Sequence, residues 1–393
     1  VRRVTGRSMP VGDCSAIEWT SATWNPVAGC SRVSAGCTHC YAERQAFRLA
    51  AMGQARYRGL TKKVGDEIRW TGEVHFVESA LTLPLRWKAP RRIFVNSMSD
   101  LFHEKVEDEW IDRIFAVMAL APRHTFQVLT KRPERMRAWS SRPETVDSLV
   151  AWQMGTLASE YDHGDHSLMV RGHEIATSFR HGGWPLPNVW LGVSVEDQPT
   201  ADARWHDLRD TPAAVRWISY EPALGPVDFA PWLRPRCQGC GNYRERGDEE
   251  HAVIVPTGDE QYPEQGYPCG PVDPALDWLV VGGESGPGAR PFDLAWARQS
   301  IAQCRAAGIP CFVKQLGAFP VWNGCGLVAN NPLGKTERVV VRKKVTDSDG
   351  YRPVVDVEKL RLCLRDRKGG SPEEWPEDLR IREYPRAQGA VAR

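Results

Sequence analysis

Short apolar runs that each end in polar residues recur along the chain, and they limit most strongly what it can fold into. Near-continuous apolar runs bounded by turn residues are typical of strands buried on both faces, as in parallel sheets. Helical patterns between them, over residues 108–120 and 295–307, indicate βα units. We therefore predict an α/β chain, a full or partial parallel β/α barrel of the TIM-like type with loop insertions. The runs begin at Arg92, Thr125, Val189, Val215, Trp278 and Pro310, and residues 17–20 are a further candidate first strand.

Two stretches interrupt the alternation of strands and helices. Residues 138–187 are polar and rich in His, and residues 232–276 carry many Pro, Gly and charged residues. Because barrels accommodate such lengths in loops, we predict a barrel over residues 1–335 with insertions at 138–187 and 232–276. Residues 336–393 form a C-terminal extension, in which the segment from Glu337 alternates like an edge strand.

Composition narrows the function classes only slightly. The chain has 51 basic and 49 acidic residues, and this balance neither demands nor excludes a nucleic-acid partner. It contains no long apolar run and no apolar leader, so we expect no membrane span and a cytoplasmic location. In a reducing compartment, the eleven Cys favour metal sites where they cluster and buried packing where they are scattered.

Three Cys residues within eleven positions form the most informative motif. Cys30, Cys37 and Cys40 precede a predicted helix that starts near Tyr41, in a loop that we assign to residues 25–44. Thiolates bind both iron–sulfur clusters and zinc. Three ligands leave one iron of a 4Fe–4S cluster open, whereas structural zinc usually takes four ligands. The residues alone favour iron–sulfur, with zinc and unliganded thiols as alternatives.

The segments around these cysteines resemble the radical S-adenosylmethionine (SAM) superfamily. Cys-x6-Cys-x2-Cys is similar to its usual Cys-x3-Cys-x2-Cys loop with a wider first gap, and Tyr41 resembles the spore photoproduct lyase branch. More closely, about residues 15–320 resemble a phage-associated family named after phage gene products thirty-seven and sixty-eight. The segments that carry this likeness are Trp24-Asn-Pro-Val-Ala-Gly-Cys, Gly36-Cys-Thr-His-Cys-Tyr-Ala-Glu, Phe94-Val-Asn-Ser-Met-Ser-Asp-Leu-Phe-His, Leu129-Thr-Lys-Arg-Pro-Glu-Arg-Met, Trp190-Leu-Gly-Val-Ser-Val-Glu, Glu221-Pro-Ala-Leu-Gly-Pro and Gly282-Gly-Glu-Ser-Gly-Pro-Gly-Ala-Arg-Pro.

The resemblance implies a radical SAM enzyme that works with an electron donor. The three Cys would hold a 4Fe–4S cluster, SAM would chelate the open iron, and electron transfer would release a 5′-deoxyadenosyl radical. We expect a nucleic-acid base or nucleotide as substrate, in phage-type DNA modification or repair. Two basic–aromatic segments, residues 86–92 and 131–139, support this expectation. The alternatives are a small metabolite or peptide substrate, and a non-enzymatic zinc-stapled phage accessory protein.

Polar residues end the predicted strands, where a β/α barrel builds its active site. By analogy with the radical SAM barrel, residues 96–100 would lie near the SAM amine, and Lys131 or Arg132 would pair with its carboxylate. Ser194 and Glu196, or alternatively Glu221, would bind the ribose hydroxyls. Solvated loop polarity and helix capping are the alternative explanation. The expected cofactor-binding residues are Tyr41, Asn96, Ser97, Asp100, Lys131, Arg132, Ser194, Glu196 and Glu221; the expected catalytic residues are Lys131, Glu221, Glu284, Lys314 and Gln315, the last two on the substrate side.

A second group of cysteines lies in the later insertion. Cys237 and Cys240 are spaced like half of a zinc knuckle, Cys269 follows, and His251 lies between them. These four residues would make a closed Cys3His zinc site. Such a site would stabilise an insertion that is too polar to bury a sizeable core. Thiols in a flexible loop are the alternative.

Overall fold

The computed structural model describes ten stretches of the chain, and their contacts divide it into two compact units. The first unit holds residues 1–196 with 211–215 and 388–393, and the second holds 197–210 and 216–387. The described residues are 15, 17–152, 177, 183–237, 252–256, 264–268, 272–273, 275–323, 336–344 and 354–385.

Four parallel strands in chain order form the sheet of the first unit. They are β1 (Ala22–Trp24), β2 (Arg92–Val95), β3 (Thr125–Thr130) and β4 (Val189–Val195). The register sets Trp24, Val95 and Val128 side by side. Because all four strands run the same way, their carboxyl ends share one edge of the sheet.

The helices of the first unit connect these strands. They are α1 (Tyr41–Ala51), α2 (Leu83–Arg86), α3 (Asp108–Leu120) and α4 (Pro133–Ser140). The predicted helix over residues 108–120 is confirmed, and Ile111, Ile114, Phe115 and Met118 on its predicted apolar face are buried. Two pairs of short antiparallel strands complete this unit. Thr61–Val64 pairs with Glu67–Trp70 between α1 and α2 in the chain, and Val27–Ala28, before α1, pairs with His75–Phe76.

The second unit contains β5 (Val215–Tyr220), β6 (Trp278–Gly282) and β7 (Cys311–Gln315), with β6 parallel to both neighbours. Its helices are α5 (Gln198–Asp210) and α6 (Leu294–Ala307). The Asp293 side chain caps the start of α6 by accepting the amide of Ala295. Gly308, with φ 67°, ends the helix in the left-handed conformation that its sequence position predicts.

The C-terminal part of the second unit adds a four-stranded sheet. Its order is Phe292–Asp293, Pro320–Trp322, Val354–Leu362 and Thr336–Lys344. The last of these lies at the edge, as its sequence pattern predicts. Within the predicted insertion at 232–276, Arg236–Cys237 pairs with Val272–Asp273, and Ala252–Pro256 pairs with Glu264–Pro268. The insertion predicted at 138–187 is described only at 138–152, 177 and 183–187.

The six apolar runs are confirmed as strands, and the chain is a mixed α/β protein with seven parallel strands flanked by helices, compatible with a partial β/α barrel. The prediction of a strand at residues 17–20 is wrong, because the first strand starts at Ala22. The hydroxyls of Thr20 and Ser21 both donate to the carbonyl of Arg92, which makes this segment a bonded turn. In the part of the chain that is described, no helix is long and apolar enough to cross a membrane.

Candidate functional site

The loop with the three cysteines begins where β1 ends and is bonded to the end of β2. Gly29 has φ 99°, and a Cβ there would lie 2.2 Å from the carbonyl oxygen of Glu73, so only glycine fits. Its amide donates to the Met98 carbonyl at 3.3 Å, and Gly29 bridges to Ser99 in parallel. A 3-10 turn over Ala35–Cys37 follows, and α1 starts directly after Cys40.

The three thiols are free and half-buried. Cys30 and Cys40 pack against an apolar cluster that includes Ala46, Tyr57 and Leu60. Burial raises the pKa of Cys30 to about 12, and negative charge on Asp100 and on the other two thiols adds to this effect. Burial also raises the pKa of Cys40, although the amides of Ala42 and Glu43 oppose the shift. Cys30 and Cys40 are therefore protonated at neutral pH without a metal, and metal binding to them would release protons.

Cys30, Cys37 and Cys40 offer three free thiols from one loop, the number of ligands that leaves one iron of a 4Fe–4S cluster open. Among the described residues, no group of three His, Cys, Asp or Glu side chains is arranged to hold a metal ion. The set fits an iron–sulfur cluster by its donor chemistry, because thiolates are the usual ligands of such clusters.

Asn96, directly after β2, has the most unusual backbone in the described chain. It has φ 63° and is the one non-glycine residue with positive φ among those described. Its side chain is buried, its Oδ1 accepts the Val27 amide at 3.4 Å, and its Nδ2 has no hydrogen-bond partner. A buried donor without a partner is costly, so this group needs an acceptor. Strain and an unpaired donor together are typical of a binding position.

The next residues tie the end of β2 to the cysteine loop. Ser97 Oγ donates to Asn25 Oδ1 at 3.1 Å, and the Met98 amide donates to the same oxygen at 3.0 Å. Tyr41, exposed at the start of α1, donates its hydroxyl to the Ser97 carbonyl at 2.6 Å. Ser97 and Tyr41, both predicted to bind the cofactor, therefore lie together beside the loop.

The carboxylate of Asp100 accepts hydrogen bonds from four groups of the protein itself. Its Oδ1 accepts from Thr130 Oγ1 at 2.7 Å and from the Phe102 amide at 3.0 Å. Its Oδ2 accepts the Lys131 amide and Arg132 Nη1, both at 3.0 Å. With four donors on two oxygens, this buried carboxylate links the end of β2 to the end of β3, and little capacity remains for a ligand.

Arg132 joins the same ends to the cysteine loop. Beyond Asp100, its Nε donates to Glu104 at 2.9 Å, and its Nη2 donates to Ser31 Oγ at 2.6 Å. Its Nη1 lies 4.0 Å from the sulfur of Cys30. The guanidinium therefore places positive charge beside one of the three thiols.

Lys131 and Glu196 form a buried ion pair between the ends of β3 and β4. The Lys131 ammonium donates to Ser194 Oγ at 2.6 Å and to Glu196, whose side chain is fully buried. Glu196 also accepts the hydroxyl of Ser34 from the cysteine loop at 2.8 Å. A Cβ on Gly36 would lie 2.4 Å from the same carboxylate oxygen. The structure thus brings the predicted residues of β2, β3 and β4 together with the loop.

The predicted residues of the second unit form two further groups. Lys314 Nζ lies 3.1 Å from Glu221 Oε1, and Ser219 Oγ donates to Glu221 Oε2 at 3.0 Å. Gly282 leaves room for this carboxylate, since a Cβ there would lie 2.5 Å from Oε1. Both charged side chains are largely shielded from solvent.

Glu284 and Gln315 organise the turn after β6. Arg290 binds both oxygens of Glu284 through its guanidinium at 2.6 and 2.9 Å, and its amide adds a third bond at 2.9 Å. Gln315 Nε2 donates to the Gly283 carbonyl at 2.8 Å. These contacts hold the glycine-rich turn in shape.

The second cysteine group lies almost wholly outside the described residues. Cys240, His251 and Cys269 are outside them, and of Cys237 only the backbone, paired with Val272, is described. The predicted zinc site stays a prediction.

The two basic–aromatic segments both make contacts within the protein, although Arg86, Lys88 and Arg92 of the first are exposed. Residues 86–92 lie at the amino end of β2, where Arg91 stacks over Trp87 at 4.8 Å. In residues 131–139, Arg135 donates to the carbonyls of His103 and Val106, and Trp139 is buried with its Nε1 bonded to Asp112. The first segment is therefore at the edge opposite to Asn96, and the second is used in packing.

Several residues that hold the cysteine loop carry no obvious sequence signal. Ser31, Arg32 and Ser34 lie in the gap between the first two cysteines, and Glu43 lies three residues after the third. The available signal is that Glu43 is a charged residue in the first turn of a helix directly beside a ligand motif. Its burial could not be read from that position.

The sequence profile of one family, described as protein of unknown function (DUF5131), matches residues 14–354. No curated protein and no solved structure matches the chain.

Proposed function

We propose that this chain, which belongs to the DUF5131 family, is a radical SAM enzyme in which Cys30, Cys37 and Cys40 hold a 4Fe–4S cluster. One observation carries the proposal: a loop that contains three half-buried free thiols is bonded to the carboxyl ends of β2, β3 and β4. Those ends are where an α/β protein with parallel strands binds its ligands.

The fold type belongs to the same proposal, as a partial β/α barrel of the radical SAM kind. Parallel strands with polar carboxyl ends in both units support it. A cytoplasmic location is also proposed, because free thiols in a cluster motif require a reducing compartment.

Asn96 is the proposed contact for the SAM carboxylate. Its Nδ2 is a buried donor without a partner, so it suits an acceptor such as a carboxylate better than the amine that a position after β2 suggests. Arg132, the other residue expected to pair with the carboxylate, is left out of this role because its guanidinium already binds Asp100, Glu104 and Ser31. Asp100 supports both residues by fixing the ends of β2 and β3.

The remaining polar groups have roles set by their chemistry. Ser194 is proposed to bind the ribose, Lys131 and the fully buried Glu196 hold it in place, and the hydroxyl of Tyr41 keeps the loop against Ser97. When bound, the cluster supplies the electron that cleaves the sulfonium of SAM.

The second unit is proposed to act on the substrate. Glu221 and Lys314 form a shielded ion pair and are proposed as its catalytic groups. Glu284 and Gln315 keep the turn after β6 in the geometry that such binding requires.

The proposed substrate is a nucleic-acid base or nucleotide, on the strength of the resemblance to phage and spore photoproduct lyase proteins. The alternatives are a small metabolite or peptide, and a zinc-stapled accessory protein without catalysis. Binding of DNA or RNA that weakens steeply between 50 and 200 mM salt (about a 10³-fold loss for six phosphate contacts) supports the first. Absence of nucleic-acid binding at low salt favours a small metabolite or peptide as the substrate.

The test of the reaction is SAM cleavage. Protein reconstituted with iron and sulfide and reduced with dithionite is expected to form 5′-deoxyadenosine. Asn96→Ala is expected to weaken SAM binding by roughly 10-fold, as loss of one hydrogen bond to a charged group predicts. Reconstituted protein that binds a cluster but neither binds nor cleaves SAM would overturn the proposal.

A further inference from the structure

We propose that the six residues between Cys30 and Cys37 are an anchor that fixes the thiols before any cluster binds, with Arg32 and Glu43 as its positioning residues. The role of the thiols rests on the proposed function, whereas the anchoring rests on contacts within the first unit. The structure gives the six residues of this gap three separate attachments.

The first attachment is Ser31. Its hydroxyl accepts Arg132 Nη2 at 2.6 Å and donates to Glu104 Oε1 at 3.0 Å. The ring of His103 is buried, and its Nδ1 accepts the amide of Lys105 at 3.2 Å. The proton of the neutral ring is therefore on Nε2, which donates to Ser31 Oγ at 3.0 Å. Three hydrogen bonds therefore fix the Ser31 hydroxyl in place. Because His103 Nε2 already carries a proton, the ring cannot accept the proton of that hydroxyl.

The second attachment closes the loop between the first and third thiols. Arg32, two residues after Cys30, donates Nε and Nη2 to the two oxygens of Glu43 at 2.9 and 2.6 Å. Glu43 lies three residues after Cys40, and its side chain is 2% exposed. Its Oε1 also accepts the amide of Trp70 at 3.0 Å. The bidentate geometry fixes direction as well as distance, which a lysine at this position would not do.

The third attachment is the end of β4. Ser34 donates to Glu196 at 2.8 Å, and Gly36 lies so close to that carboxylate that no side chain fits. Between these attachments, the amides of Cys37, Thr38 and Cys40 donate to carbonyls three residues earlier, at 3.0 to 3.3 Å. The loop is thus bonded along its length by protein groups alone.

Hydrogen exchange of the full chain without iron, under reducing conditions, tests the anchor. The amides of Cys37, Thr38 and Cys40 are expected to exchange slowly in this apo protein. Arg32→Gln is expected to speed their exchange roughly tenfold or more, since it leaves Glu43 buried without its cation, while peptides from β3 stay unchanged. The matched control is Arg44→Gln, which removes an exposed arginine next to Glu43 in α1 and should leave the exchange unchanged.

Two further variants sharpen the result. Arg32→Lys keeps the charge with fewer bonds, so its exchange should fall between wild type and Arg32→Gln. Glu43→Gln should resemble Arg32→Gln; if it does not fold, the half-buried Arg32 carries the test. In cluster-loaded protein, Arg32→Gln should also lose iron to a chelator roughly tenfold faster than Arg44→Gln.

Fast exchange at these three amides in apo wild type would overturn the anchor, as would wild-type exchange in Arg32→Gln. Slow exchange in a protein that cannot be loaded with iron would leave the anchor standing and remove the proposed function. If the protein binds a cluster but its loop amides exchange rapidly in the apo form, the proposed function stands and the anchor is refuted.

Discussion

Replacement of Gly36 by alanine tests the contact between the cysteine loop and the end of β4. A Cβ at this position would lie 2.4 Å from Glu196 Oε1, and 2.7 and 2.9 Å from its Cγ and Cδ. The Glu196 side chain is fully buried and is held by Lys131 and Ser34. It therefore cannot swing away without breaking those bonds, and the loop must move instead.

The expected cost follows from that crowding. Adding a methyl group to a well-packed site lowers the free energy of unfolding by about 1–3 kcal/mol. Because the Glu196 carboxylate cannot move, we expect Gly36→Ala to fall in the upper part of this range, at about 2–3 kcal/mol. For a unit of this size, each kcal/mol lowers Tm by roughly 2–4 °C, so we expect a decrease of about 4–12 °C.

The assay is thermal unfolding of the apo full chain, followed by near-ultraviolet circular dichroism. Gly225→Ala is the matched control, because a Cβ there meets only an ordinary 3.4 Å contact with Asp197. Its Tm should stay at the wild-type value. A Gly36→Ala protein that unfolds at the wild-type temperature would refute the close contact and, with it, the placement of Glu196 against the loop.

Three further predictions follow from other contacts. Lys131→Ala leaves the Glu196 carboxylate buried without its cation, and urea unfolding should show a loss of about 3–5 kcal/mol; a loss below 1 kcal/mol would contradict the buried pair. Burial lowers the pKa of both His103 and His124, so as the pH falls below 6.5 the unfolded chain gains protons that the folded chain excludes, and stability should decrease. A stability that rises on acidification from pH 7 to 6 would show that these rings are not buried as neutral groups. Replacing residues 238–271 by a two-residue turn joins a paired strand end to its partner, so the cluster absorbance should persist; its loss in folded protein would make that segment part of the cluster site.

The strands and helices could be predicted from the sequence where a local pattern of residues determines them. The six apolar runs became strands because continuous burial on both faces leaves little alternative for segments of that length. The helix over residues 108–120 followed from its apolar face, and the end of α6 followed from Gly308, which adopts the left-handed conformation that a helix end requires. The first strand was misplaced because a bonded turn at Thr20 is not visible in local hydropathy.

The site was readable only in part. The spacing of Cys30, Cys37 and Cys40 identifies the donor set, and polar strand ends identify the edge of the sheet. The partners could not be predicted, because Ser34 and Glu196 are 162 positions apart and their contact depends on the packing of whole elements. The positive φ of Asn96 has a weak signal, since asparagine tolerates that conformation better than most residues.

The most direct measurement is the metal content of protein purified without oxygen. We expect a brown protein that contains iron and sulfide, absorbs near ~400 nm through thiolate charge transfer, and loses this absorbance when Cys30, Cys37 or Cys40 is replaced by alanine. Cys304→Ala, at a buried cysteine outside the loop, is the control and should keep it. Colourless protein with one zinc bound by those three cysteines would contradict the central claim.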